Sequence, residues 1–164
     1  MTVRRIRSNE ATRLRTLQLA ALADAPSAFA ASLADEEAEP PSYWEDFAQK
    51  AATDETLAFF IAEEAPHWLG IVGTFIPKDQ QDIARLIAMW VHPNRRRSGI
   101  GAALVEAVIA WARSRSVTQV HLWVTDTNQQ ARSLYVRDGF AETGLTRPLP
   151  SNPALQEMLM VRDV

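Results

Sequence analysis

The sequence contains no cysteine among its 164 residues, which excludes disulfide bonds, thiolate metal sites and a cysteine nucleophile. No apolar run approaches the roughly 18 residues of a membrane-spanning helix. The first residues, MTVRRIRSNEATRLR, lack the apolar segment of a secretory signal. A formal net charge of −3 argues against nucleic acid as a partner, since domains that bind nucleic acid are usually basic. We therefore expect a cytoplasmic protein with neither a membrane nor a nucleic acid as its partner.

Apolar residues make up 47% of the sequence and charged residues 23%, which is close to the average of globular proteins. A chain of this length can bury one sizeable core, and no low-complexity linker divides it. We predict a single domain that spans residues 1–164.

Glycine is also scarce, and two of the six glycines, Gly99 and Gly101, lie between a predicted strand and a predicted helix. The segment from Ala84 to Val91 is short, apolar and free of glycine and proline, which predicts a strand that ends before His92-Pro93. From Gly101 to Ala112 the apolar residues recur at helical spacing. The local order is therefore strand, loop, helix.

The loop from Arg95 to Gly101 combines arginines with the two glycines. Glycine lets backbone N–H groups approach a ligand without a Cβ in the way, and a helix N-terminus adds partial positive charge. The loop is not a Walker loop, and Ala102 and Ala103 stand where a dinucleotide fingerprint has its third glycine. A local nucleic-acid patch at Arg95 to Arg97 is the alternative, but the acidic chain favours a small anion such as a pyrophosphate.

The arrangement Arg96-x-x-Gly99-x-Gly101, after a strand that ends in Val91-His92-Pro93, resembles the acyl-coenzyme A loop of the GNAT superfamily of N-acetyltransferases. A second match lies downstream and consists of Asn128, Leu134-Tyr135 and Gly139-Phe140, behind a strand-like segment from Val120 to Val124. The resemblance covers about residues 84 to 143. It implies an acyltransferase that uses acetyl-coenzyme A as its co-substrate.

Hydrophobic periodicity and turn residues predict the other elements. Further strands are predicted at Val3–Arg7, Thr56–Glu63, Leu69–Ile76, Gln119–Val124, Phe140–Thr143 and Leu155–Val161. Helices are predicted at Glu10–Ala23, from Ser42 and from Asn128 to Asp138. Their predicted caps are Ser8-Asn9, Ser42 and Asn128, and Gly139 is the predicted end of the last helix. Residues 24–41 and 144–153 are predicted to be irregular.

The handedness of crossover connections makes the strands before and after the Gly101 helix parallel. Together with the resemblance, this predicts an α/β (mixed α+β) fold of the GNAT type. Its sheet would be mainly antiparallel with six to seven strands, a central parallel, splayed strand pair and about four helices.

The resemblance also implies which residues bind the coenzyme. Main-chain groups of Met89, Trp90 and Val91 would hold the pantetheine arm as an added strand, although these side chains also fit the core. The backbone amides around the pyrophosphate would be those of Arg97, Ser98, Gly99, Ile100, Gly101 and Ala102, and Arg96 would brace the loop. Asn128, which the sequence alone makes a helix cap, would also contact the coenzyme.

Tyr135 matches the tyrosine that in the family protonates the coenzyme sulfur. A phenol with an ordinary pKa near 10 remains protonated at neutral pH and can donate its proton. A tyrosine beside Leu134 at helical spacing is also typical of an amphipathic core position.

The base that deprotonates the amine is not evident, because residues 84–91 contain no acid and Trp123 stands where some relatives carry glutamate. A water chain, Glu63, Glu64, Asp82 or His121 all remain open. The predicted acceptor site is lined by aromatic and imidazole rings, a composition that suits a cation. These residues are Phe29, Tyr43, Trp44, His121 and Trp123.

The resulting hypothesis is direct transfer of an acetyl group from acetyl-coenzyme A to a primary amine in a ternary complex, without a metal. The acceptor would be a small-molecule amine or a protein N-terminus or lysine, and both a monomer and a homodimer remain open. Two alternatives stand beside it. One is a non-catalytic module that binds or senses acyl-coenzyme A, favoured by the missing carboxylate, and the other is an acyltransferase with a longer acyl donor.

Overall fold

The computed structural model describes all residues from Met1 to Val164 and contains seven strands and five α-helices. The strands are β1 Thr2–Arg5, β2 Leu57–Glu64, β3 His67–Phe75, β4 Ile83–Val91, β5 Gln119–Thr125, β6 Ala141–Leu149 and β7 Asn152–Asp163. The helices are α1 Ala11–Asp24, α2 Leu33–Ala38, α3 Pro41–Thr53, α4 Ile100–Ser114 and α5 Gln129–Arg137. No helix combines the length and the apolar character that crossing a membrane requires.

All seven strands form one sheet in the order β1-β2-β3-β4-β5-β7-β6. Only β4 and β5 pair in parallel, and their pairing is confined to Ile83–Arg85 against Gln119–His121. Both strands continue beyond this short pairing, to Val91 and Thr125, so they separate toward their C-terminal ends. The predicted fold class, with its mainly antiparallel sheet and central splayed parallel pair, is confirmed.

A bulge in β4 lies within the part of the strand that has left β5. The register between β3 and β4 shifts between Ile71 and Gly73, so that Ala88 and Met89 both lie opposite Val72. Ala88 has φ +52°, in the left-handed region that alanine rarely adopts. Because a bulge bends its strand and increases the local twist, it helps to open the gap between β4 and β5.

Two apolar layers cover the sheet, one on each face. The first lies under α4 and includes Leu104 and Leu122, and the second lies under α1 and α3 and includes Leu14 and Trp44. Side chains of β5 alternate between the two faces. Val120, Leu122 and Val124 belong to the α4 layer, whereas His121 and Trp123 are half-buried on the other face.

Several helix boundaries differ from the sequence prediction. Helix α1 begins at Ala11 without a side-chain cap, so neither Ser8 nor Asn9 has the expected role. Helix α3 begins at Pro41 rather than Ser42, since proline is favoured in the first turn. The cap at Asn128 is confirmed, because its side chain accepts a hydrogen bond from the Ala131 N–H.

Two segments predicted to be irregular contain regular structure. Within residues 24–41, helix α2 is capped by Ser32, whose side chain accepts from the Asp35 N–H, so the structure has five α-helices where about four were predicted. The predicted loop at 144–153 belongs to the long hairpin of β6 and β7. Pro148 is tolerated because β6 is the edge strand of the sheet, and Pro153 lies in the part of β7 that extends beyond its pairing with β5.

A buried carboxylate joins β1 to the start of α1. Glu10 is 8% exposed, and its two oxygens accept hydrogen bonds from the Arg4 guanidinium at 2.7 and 3.0 Å. The backbone N–H of Arg7 donates to the same carboxylate at 2.8 Å. Burial by itself raises the pKa of Glu10, but the hydrogen bonds from Arg4 and Arg7 outweigh it and hold the pKa below its ordinary value of 4.5.

Replacing Glu10 with glutamine is therefore expected to lower the free energy of unfolding by about 1.5–3 kcal/mol at neutral pH, since hydrogen bonds to charged groups contribute about this much. A carboxyl with a depressed folded pKa stabilises the fold above its unfolded pKa, and this contribution is lost as the pH falls through the lower folded value. Urea unfolding of wild type and E10Q across the acid range measures the difference, which should shrink below the unfolded pKa. E37Q, an exposed glutamate on α2, is the matched control, and a pH-independent E10Q difference would contradict the prediction.

Candidate active site

The loop between β4 and α4 presents free backbone donors. Arg97 and Gly99 both have positive φ, +62° and +85°. Gly99 is the N-cap of α4, and no side chain caps this helix end. The first N–H groups of α4 are therefore left without partners and carry the partial positive charge of the helix terminus.

A cavity of about 750 Å³ lies beside this loop. It is lined by nine of the predicted coenzyme-binding residues: Met89, Trp90, Val91, Arg96, Arg97, Gly99, Gly101, Ala102 and Asn128. Ser98 and Ile100 do not line it. The Ser98 hydroxyl donates to the Arg95 carbonyl at 2.5 Å, and the Ile100 side chain is buried in the core under α4.

Asp24, the last residue of α1, connects this loop to β4. Its carboxylate accepts a hydrogen bond from the Trp90 indole at 2.8 Å and forms an ion pair with Arg96. Arg96 also donates to the Val91 carbonyl at 3.1 Å. The hydrogen bond from Trp90, followed by that from Arg96, lowers the pKa of Asp24. Arg96 thus braces the loop against β4 and α1.

The bulged part of β4 reaches the same cavity at Met89. Met89 lies beyond the last residue of β4 that pairs with β5. An extended ligand can add to such a strand through backbone hydrogen bonds.

A second cavity of about 450 Å³ lies on the α1 and α3 side of the sheet. All five residues of the predicted acceptor site line it: Phe29, Tyr43, Trp44, His121 and Trp123. Burial lowers the pKa of His121, and the positive charge of Arg85 lowers it further. Gln18 Oε1, Trp44 Nε1 and Arg85 Nε also belong to lining residues, and these buried atoms have no hydrogen-bond partner in the protein.

The two cavities meet where β4 faces α5. Five residues line both: Ala28, Met89, Asn128, Ala131 and Leu134. Tyr135 lines the second cavity at the same helix, and its ring makes an edge contact with Phe140 at 5.7 Å between centroids. Burial raises the pKa of Tyr135, as does the charge of Asp138, so its hydroxyl stays protonated at neutral pH.

Three of the four side chains considered as a base lie away from these cavities. Glu63 pairs with Arg4 and Glu64 pairs with Arg95. Neither of them, nor Asp82, lines the acceptor cavity, whereas His121 does.

The sequence analysis missed Glu157 and Arg147, which both line the acceptor cavity. Glu157 shares one face of β7 with apolar residues, namely Leu155, Leu159 and Val161. That interruption of an apolar face is a signal from which the residue could have been found.

Residues 19–140 match the model of the acetyltransferase (GNAT) family. The chain is 33% identical over 90 residues to N-acetyltransferase 8F1 of Rattus norvegicus, an alignment that covers 53% of this chain and 41% of that protein. It spans less than half the length of the curated relatives it matches.

Two solved structures share the fold. The acetyltransferase of the GNAT family from Streptococcus pneumoniae superposes with a TM-score of 0.80 at 23% identity, covering 99% of this chain and 98% of that one. The protein yncA from Salmonella typhimurium, solved with its cofactor acetyl-CoA, has a TM-score of 0.78 at 16% identity and coverages of 99% and 93%.

Proposed function

The chain belongs to the GNAT acetyltransferase family, and we propose that it transfers an acetyl group from acetyl-coenzyme A to a primary amine. The observation that carries this proposal is the meeting of two cavities at Met89, Asn128 and Leu134, with Tyr135 beside them. One cavity has the donors for a pyrophosphate, and the other is a mainly apolar chamber for an acceptor.

The loop residues fit the proposed co-substrate. Uncapped N–H groups at the start of α4 and the side chain of Arg97 suit the diphosphate, because helix N-termini bind anions. Main-chain groups at Met89, Trp90 and Val91, which line this cavity, suit the amides of the pantetheine arm. Acetyl-coenzyme A supplies the acetyl group as a thioester, which a neutral amine can attack directly.

Tyr135 is the proposed acid. Its raised pKa keeps the proton on the phenol, and its place in the acceptor cavity, next to Leu134 at the junction, supports a role close to the reacting group of a molecule that fills both cavities. When the carbon–sulfur bond breaks, the electron pair stays on sulfur, and the Tyr135 hydroxyl gives the sulfur its proton.

Titration calorimetry with acetyl-coenzyme A, followed by thiol release with a panel of primary amines, tests this function. Since the chain has no cysteine, a thiol reagent reports only the coenzyme A that is released. We expect binding together with amine-dependent release. Absence of binding would overturn the proposal, and binding without amine-dependent release would indicate the non-catalytic module. Glu157 argues against that module, because it supplies the cavity carboxylate that β4 and β5 lack.

A further inference from the structure

A nearly buried carboxylate lies in the acceptor cavity. The Glu157 side chain is 6% exposed, on the face of β7 that the cavity covers. Removing a carboxylate from water is costly unless partners compensate it. Its alternate neighbours along β7 are apolar, so an apolar residue would fit the same face of the strand. This carboxylate therefore needs a partner of opposite charge, which Arg147 and a cationic ligand can both provide.

Arg147 fixes the orientation of this carboxylate. The two residues are register partners on β6 and β7, and Arg147 Nε donates to Glu157 Oε1 at 2.6 Å. The Arg147 guanidinium also stacks over the Trp123 ring at 4.1 Å from its centroid. The hydrogen bond from Arg147 uses Oε1 and leaves Oε2 as an acceptor.

Glu157 lies toward the end of the cavity where the chemistry is proposed. On β5 it pairs in register with Thr125, the last residue of that strand. Asn128 follows three residues later and lines both cavities. The carboxylate is thus on the side of the acceptor cavity that leads to the junction.

The remaining walls limit what the acceptor can be. They are mainly apolar and include the rings of Phe29, Tyr43 and Phe47, and the volume is that of a small molecule. Arg85 has no carboxylate partner and adds positive charge to the lining. The only other acid in the lining is Glu36, so an acceptor with several ammonium groups would meet one further carboxylate and the positive charge of Arg85.

We propose that the acceptor is a small primary monoamine on an aromatic or similarly apolar body, and that Glu157 binds its ammonium group. This inference rests on the proposed acetyl transfer and names the acceptor class and a residue for it. The bound ammonium gives one proton to water. The nitrogen lone pair then forms the carbon–nitrogen bond as the carbon–sulfur bond breaks. Sulfur takes the Tyr135 proton, nitrogen releases its second proton to water, and Tyr135 is reprotonated from water.

The test compares wild type with Glu157→Gln, using 2-phenylethylamine as the acceptor and 2-phenylethanol as a neutral competitor. In E157Q we expect kcat/KM for the amine to fall by about 10- to 100-fold, mainly through KM, because a hydrogen bond to a charged group is lost. The inhibition constant of 2-phenylethanol should stay within about twofold, since the alcohol carries no charge for Glu157 to bind. A site that had merely collapsed would lose both ligands.

Two further variants keep the test decisive. E106Q makes the same change at a glutamate on α4 that is exposed and pairs with Arg162, and it should behave as wild type. Glu157→Asp keeps the charge on a shorter side chain and should keep the preference for the amine over the alcohol, even if E157Q folds poorly.

The outcomes separate the two proposals. If wild type does not take up acetyl-coenzyme A, the proposed function fails. If wild type binds the coenzyme and acetylates spermidine but not 2-phenylethylamine, the acceptor class is wrong. If 2-phenylethylamine is acetylated equally well by wild type and E157Q, the role of Glu157 is wrong while the acetyl transfer stands.

Discussion

Replacing Tyr135 with phenylalanine is expected to lower kcat by about 100- to 1,000-fold, within the range by which a positioned acid accelerates a reaction. The hydroxyl is held protonated by burial, so it can donate to a departing sulfur at neutral pH. The substitution keeps the ring and its edge contact with Phe140. We therefore expect the fold and the affinity for acetyl-coenzyme A to remain as in wild type.

Steady-state thiol release measures this effect, with titration calorimetry to follow coenzyme affinity. The other tyrosine of the chain, Tyr43, also lines the acceptor cavity but lies on α3, away from the junction. Its change to phenylalanine should affect KM for the amine rather than kcat. A positioned acid contributes more than about a factor of three. If kcat of Y135F stays within about threefold of wild type, Tyr135 therefore has no part in the chemistry.

Replacing Gly99 with valine is expected to weaken acetyl-coenzyme A binding by about 100-fold, which corresponds to about 2.7 kcal/mol. Gly99 has φ +85°, and a β-branched residue avoids this region at a cost of about 1–3 kcal/mol. Relief of the strain turns the peptide groups at the start of α4 away from the cavity. The loss is expected in affinity, because these N–H groups are the proposed donors to the diphosphate.

Gly144 offers a matched control for this variant. It has φ +82°, and a Cβ added at either glycine meets no atom within 4 Å. Valine at Gly144, on β6, should therefore lower the thermal stability by about as much as valine at Gly99 does. It should leave the affinity for the coenzyme unchanged. Equal losses of affinity in G99V and G144V would show that general destabilisation, rather than the orientation of the loop amides, is responsible.

The central part of the fold could be predicted because its signals are local. The β4 strand, the glycine loop and α4 follow one another along the chain. The side chain of Asn128 marks the start of α5, and the positive φ of Gly139 marks its end. The β6–β7 hairpin could not be predicted in the same way. Its prolines suggested a loop, and only the arrangement of the strands makes them acceptable, because Pro148 lies on the edge strand and Pro153 lies beyond the pairing with β5.

The acceptor site could also be predicted only in part. Aromatic side chains and the alternation of His121 and Trp123 were visible in the sequence, and these residues do line one cavity. The pairing of Glu157 with Arg147 was not visible, because Arg147 lies in the segment predicted to be irregular, and the register of the β6–β7 hairpin is fixed only in the folded sheet. The strand order β5-β7-β6 brings Thr125, Glu157 and Arg147 side by side across three strands, and no local pattern encodes it.

The Asp24 carboxylate has a consequence for how the two substrates affect each other. It ends the helix whose Gln18 lines the acceptor cavity, and it holds Trp90 and Arg96 on the coenzyme side. Asp24 therefore links α1 to two residues of the coenzyme cavity. We expect this link to couple the two sites, and thermodynamic linkage requires such a coupling to be reciprocal. The factor by which bound coenzyme A changes the affinity for the amine equals the factor by which the bound amine changes the affinity for coenzyme A. In Asp24→Asn this factor should be closer to one.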